Sequence, residues 1–227
     1  MTQHLHRGIE RLKNQLLSLG GMVEQTLSEA LVAFQRGDVL TARKIISADE
    51  RIDLLEVEVE EDCLKLLALH QPVAADLRFI VSILKINNDL ERIGDFAVSI
   101  SWSVVEGADI TQAIPSLDLS LITERSKEML HEALEAVVQV DCDRARTILR
   151  MDDVVDAENR RIQREALAEV QRSPHLAEAL SRVLSVARSL ERVADHATNI
   201  AEDVIYMVEG DIVRHGTSIE QSSKERR

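Results

Sequence analysis

Two segments of this chain repeat one another. Leu90-Glu91-Arg92-Ile93-Gly94-Asp95 returns 100 residues later as Leu190-Glu191-Arg192-Val193-Ala194-Asp195. Ala42-Arg43-Lys44-Ile45-Ile46-Ser47-Ala48-Asp49-Glu50-Arg51-Ile52-Asp53 returns after 103 residues as Ala145-Arg146-Thr147-Ile148-Leu149-Arg150-Met151-Asp152-Asp153-Val154-Val155-Asp156. The three-residue difference in offset is absorbed at the turns near Pro72 and Pro174. A duplication of this length confines the 227 residues to folds that two copies of one supersecondary block can build.

The block is helical. With 8 Gly, 3 Pro and 2% aromatic residues, the sequence lacks the turn signals and strand formers of a many-stranded protein. Apolar residues instead recur at helical spacing, as in Ile9, Leu12, Leu16, Leu19 and Val23. The spacing predicts helices over about 4–35, 39–69 and 74–106, with Gly37 as a stop and Asp38 as a fresh N-cap. The second copy predicts helices over about 119–140, 141–171 and 174–209, with Asp141 and Ser173 as N-caps and Pro174 at the first helical position. The chain reads as all-α, six long helices in two tandem three-helix units. These are 1–106 and 119–210, joined by a linker over 107–118 where Gly107, Asp109, Pro115 and Ser116 gather, and followed by a disordered tail over 211–227.

Forty acidic against 27 basic residues give a formal charge of −13, which repels phosphate backbones and anionic membrane faces and suits a basic partner or a cation. No window approaches the ~18 apolar residues of a membrane span, and the N-terminus carries no signal stretch, so the expected location is cytoplasmic. Cys63 and Cys142 form no C-x-x-C pair and read as buried thiols. Trp102 stands where the second unit has Glu202, and fits either a contact surface or the core.

Each unit carries two acidic pairs at i,i+4: Asp49 with Asp53 and Glu91 with Asp95, then Asp152 with Asp156 and Glu191 with Asp195. Other such pairs, Glu56 with Glu60 and Glu124 with Glu128, have no acidic counterparts in the other copy. The short turn between second and third helices makes them antiparallel. Asp53 lies 18 residues before Gln71 and Glu91 lies 17 after Ala74, so both stand roughly 25–27 Å from the turn. Asp156 and Glu191, 16 before Arg172 and 17 after Pro174, repeat the arrangement, so four carboxylates should meet in each unit. Oxygen-only clusters of this kind suit Mg²⁺, Mn²⁺ or Fe, and bridging carboxylates can hold more than one ion. The competing reading is a solvated face on which Arg92 and Arg192 pair with these acids at little energetic gain. His196 could join the second site or be structural, its counterpart being Phe96; His4 and His6 have no assignment.

The duplicated unit, with Asp-x-x-x-Asp on its second helix and Glu-Arg-Ile-Gly-Asp or Glu-Arg-Val-Ala-Asp on its third, resembles the PhoU family of phosphate-uptake regulators. The run Leu190-Glu191-Arg192-Val193-Ala194-Asp195-His196-Ala197-Thr198-Asn199-Ile200-Ala201-Glu202 is similar to that family's signature. The resemblance implies two three-helix bundles related by pseudo-twofold symmetry. It also implies a multinuclear metal cluster of Fe, Zn, Mn or Mg on Asp49, Asp53, Glu91 and Asp95 and on Asp152, Asp156, Glu191 and Asp195. It further implies a homodimer that keeps phosphate-starvation genes repressed, working with the phosphate ABC transporter on its cytoplasmic ATPase side and with the sensor histidine kinase. The protein would then be peripheral to the membrane through these partners alone, with no nucleic acid bound. The first copy departs from the signature, with Phe96, Ser99 and Trp102 where the second has His196, Asn199 and Glu202, so its site is expected to bind metal differently or more weakly.

The chain carries no G-x-S-x-G, no phosphate-binding Gly-rich loop and no cysteine in a plausible motif, which favours a regulator over an enzyme. A polynuclear site that hydrolyses phosphoesters through a metal-bound water is the enzymatic alternative. A paralogue serving another phosphate transporter and a purely structural scaffold are the others. A ferritin-like di-iron centre needs two Glu-x-x-His motifs, and only Glu128 to His131 supplies one.

Overall fold

The computed structural model describes residues 3–107 and 117–210. The body of the predicted linker and the predicted tail lie outside the described residues. Among the described residues there is no strand. The helices are α1 (Gln3–Arg36), α2 (Val39–Ala48), α3 (Glu50–His70), α4 (Ala74–Glu106), α5 (Ser120–Gln139), α6 (Cys142–Arg172) and α7 (Ala177–Glu209), with a single 3₁₀ turn, Pro174–Leu176, before α7.

The apolar stripes named in the sequence face inward: Leu12, Leu16, Leu19 and Val23 of α1 are buried, as are Ile83, Ile86, Leu90 and Ile93 of α4 and Leu190 and Val193 of α7. Boundaries follow local chemistry. Gly37 adopts a left-handed φ of 64°, and Asp38 accepts hydrogen bonds from the Leu40 and Thr41 amides, stopping α1 and starting α2. Asp141 does the same for α6 through the Asp143 and Arg144 amides.

Two expectations at helix starts need correcting. The helix predicted over 39–69 is divided at Asp49, where the Ile52 amide reaches back only three residues to the Asp49 carbonyl, at 2.8 Å. The matching stretch of α6 runs unbroken, anchored on the core by Met151 where the first copy has Ala48. Ser173 caps nothing with its side chain, and Pro174 opens a 3₁₀ turn instead of the α-helix itself.

The two units share one core. Lys85 meets Asp203, Asp89 meets His196, Phe96 meets Arg192 and Glu106 meets Arg182, so α4 and α7 lie antiparallel along their length. Phe96 and His196 occupy equivalent positions and touch one another, with ring centroids 5.7 Å apart. In the outer pair, Lys127 donates to Ser28 at 2.9 Å and His131 meets Glu24 at 2.8 Å; under the 103-residue offset these contacts are images of each other. An element that touches its own equivalent lies on a twofold axis. The molecule is two three-helix bundles related by pseudo-twofold symmetry, and the exposure pattern of 91–100 is repeated position by position in 191–200.

Candidate functional site

The hairpin of α3 and α4 carries Asp53 on one arm and Glu91 and Asp95 on the other, with Asp49 at the break just before α3. In the second unit α6 carries Asp152 and Asp156, and α7 carries Glu191 and Asp195. The acids of each unit stand within reach of one another's fields. Burial first, then the charges of Asp53 and Asp95, hold the Asp49 carboxyl above its ordinary range. Glu91 is likewise raised, by burial and then Asp95, with Asp53 and Glu56 adding to it against the pull of Arg92.

The second cluster is more strongly perturbed. Burial, Asp195 and Asp156 together push Asp152 from its ordinary 3.8 up to about 6. Glu191 rises through burial, Asp195 and Asp156, and Asp195 through burial, with Asp156 adding to it and Arg192 opposing. The acids that act are in every case from the same repeat, so the structure holds two clusters, one per unit. A carboxylate held above its normal pKa is one whose negative charge lacks compensation.

Unmet demand also shows in hydrogen bonding. Asp49 Oδ1 and Glu91 Oε2 are buried with no hydrogen-bond partner, although the Arg92 guanidinium stands 3.6 Å from the latter. Such orphaned acceptors are costly and call for a donor or a cation. The donor set is carboxylate oxygen throughout, which fits a hard or borderline divalent ion. Among the described residues, no three carboxylate, imidazole or thiol groups are already drawn tightly enough to enclose an ion.

The salt-bridge reading holds for part of the set. Arg92 reaches Asp95 at 3.4 Å and Glu91 at 3.6 Å, and Arg160 reaches Asp156 at 3.3 Å, all through exposed arginines. Arg192 instead lies over the Phe96 ring, 6.0 Å from its centroid. His196 is turned to the other unit: its Nδ1 is 2.6 Å from Asp89 Oδ1, and Asn199 donates to the same oxygen at 3.2 Å. It ties the bundles together at their axis.

Glu56, whose counterpart is Asn159 and which lies outside the repeated pairs, stands with the first cluster. Its carboxyl is raised by burial, then by Glu60 and Asp53, and Asn87 donates to its Oε1 at 3.1 Å. The missed signal was positional, since Asp49, Asp53 and Glu56 follow one helical face at i, i+4 and i+7. Cys63 is fully buried, with its thiol pushed up to about 12 by burial, whereas Cys142 is only partly buried at the first turn of α6, contrary to the expectation of two core thiols. Trp102 is 48% exposed, which removes it from the core.

Paired acidic clusters on two duplicated three-helix bundles define a recognisable class. The PhoU domain family matches residues 16–104 and again 119–204, once in each unit, and the chain belongs to that family. It is 35% identical to the phosphate-specific transport system accessory protein PhoU of Serratia marcescens, over 91% of this chain and 85% of that protein. The crystal structure of PhoU from Pseudomonas aeruginosa superimposes with a TM-score of 0.84 at 32% identity, covering 91% of this chain and 99% of that one. The phosphate transport system regulatory protein PhoU from Streptococcus pneumoniae gives the same TM-score of 0.84 at 28% identity, covering 93% and 100%.

Proposed function

We propose that this protein is a non-enzymatic negative regulator of phosphate uptake and of the phosphate-starvation response. It acts as a cytoplasmic, homodimeric adaptor between a phosphate ABC transporter and a sensor histidine kinase. Family membership across both units supports the link to phosphate transport, because the relatives are named as accessory proteins of that system. No helix among the described residues is long and apolar enough to cross a membrane, which fits a protein that reaches the membrane through partners.

The observation that carries the reading furthest is the pair of carboxylate clusters, whose charge the exposed arginines offset only in part. Asp49, Asp53, Glu91 and Asp95 would hold one metal group, and Asp152, Asp156, Glu191 and Asp195 the other. Bound metal supplies positive charge that offsets the mutual repulsion of each set. The chain's own contribution is to hold the acids, half-buried but for the exposed Asp53, on helices fixed by the shared core.

The test is alkaline phosphatase activity of the native host in phosphate-rich medium, with and without the gene. High activity in the deletion strain, reversed by the wild-type gene but not by one carrying Asp95→Asn and Asp195→Asn, is the expected result. Activity unchanged by deletion would contradict the repressor role. Turnover of phosphoesters by the purified protein, lost in the same variants, would replace the adaptor by a metal-dependent phosphoesterase.

A further inference from the structure

The duplication makes each unit a control for the other, and one region breaks the correspondence. A cleft of about 420 Å³ opens in the first unit between α1 and the junction of α2 with α3. Its room comes from small side chains: Ser18, Thr26 and Ala48 line it where the second unit has Leu121, Met129 and Met151. There Met129 is fully buried and Met151 packs on the core, so these two supply the filling, while Leu121 stays exposed. The first unit lacks this filling, and its helix is divided at Asp49 beside the cleft.

The same cleft has gained charge. Lys44 and Arg51 line it where the second unit has Thr147 and Val154. Both are exposed, and neither is in an ion pair among the described residues. Glu29 and Asp49 supply acceptors on the same lining, and Asp49 Oδ1 is one of the buried atoms without a partner. Met22, Ile45 and Ile52 complete it with apolar surface. Cations, acceptors and apolar wall in a space of this size are the components of a small-molecule site.

We propose that this cleft binds a small organic phosphate. Its phosphate answers Lys44 and Arg51, its hydroxyl or amino donors answer Asp49 and Glu29, and its organic part lies on Met22, Ile45 and Ile52. Inorganic phosphate answers only the first of these. The site depends neither on metal nor on the regulatory role proposed above, and Asp49 is shared between it and the first carboxylate cluster.

Isothermal titration calorimetry on the full chain, stripped with chelator, tests it with adenosine 5′-monophosphate, ribose 5-phosphate and inorganic phosphate as probes. At least one organic probe should bind once per chain, with inorganic phosphate weaker by about tenfold or more. Lys44→Thr and Arg51→Val, which install the second unit's exposed residues without touching the core, should each weaken binding about tenfold. Ala48→Met should abolish it, with the melting temperature checked in parallel. No heat from either organic probe at millimolar concentration would overturn the proposal, as would equal affinity for inorganic phosphate or binding undiminished in Lys44→Thr and Arg51→Val. Metal content, measured separately, keeps failure here distinct from failure of the carboxylate clusters.

Discussion

Gly94 and Ile52 meet where α4 packs on α3, and a Cβ added to the glycine would stand 3.3 Å from two carbons of Ile52. The second unit solves the same contact with Ala194 and Val155, one carbon more on α7 and one fewer on α6. Gly94→Ala gains helix propensity of roughly 0.5–1 kcal/mol but overpacks at a cost of about 1–3 kcal/mol, so alone it should destabilise. Combined with Ile52→Val it should recover about 1 kcal/mol relative to the sum of the single variants, measured by denaturant unfolding of all three. Simple additivity would deny the compensation.

The carboxyls make a second residue-scale prediction. Asp49, Glu91, Asp152, Glu191 and Asp195 are all raised, so between about pH 4 and 6 the folded state holds more protons than the unfolded one. Stability therefore falls as pH rises through that window. With discounting for their partial exposure, a net effect of about 1 kcal/mol, or 2–4 °C, is expected. Chelator-treated protein should melt higher at pH 5 than at pH 7, and Asp152→Asn should flatten the difference.

At the scale of elements, the ends of α1 and α5 are the same structure built from different residues. Gly37 and Val140 are equivalent under the offset of 103, and both adopt left-handed backbone, φ 64° and 54°. A β-branched residue is strained there. Val140→Gly should raise stability by about 1 kcal/mol and Gly37→Val should lower it by a similar amount, read from thermal melts. Equal stability of both variants and wild type would refute the assignment of strain.

Helix ends of this kind were legible because capping is local: Asp38 and Asp141 lie one residue before the helices they start, and their side chains bind the first amides. The break at Asp49 was not legible, since the helical spacing of apolar residues runs through it in both copies and the difference lies in side chains such as Ala48, where the second copy has Met151 on the core. Glu56 escaped for another reason. Its counterpart is Asn159, so the first cluster is asymmetric at that position and the duplication does not mark it.

At the scale of the whole molecule, the duplicated motifs predicted two units, and contacts such as Phe96 with His196 show how they are joined. Spacing from the turns placed Asp53 level with Glu91 and Asp156 level with Glu191. It could not show that His196 would turn toward Asp89, because that partner comes from the other copy across the axis. The cleft was equally hidden, being made of what Ser18, Thr26 and Ala48 lack.

The most direct test of the carboxylate clusters as metal centres is the metal content of the purified full chain. Elemental analysis of wild type should find a divalent or trivalent hard or borderline ion, with part of it lost in Asp53→Asn/Asp95→Asn and part in Asp156→Asn/Asp195→Asn. Folded wild-type protein that retains no metal and takes up none on titration, or variants that retain the full amount, would contradict it.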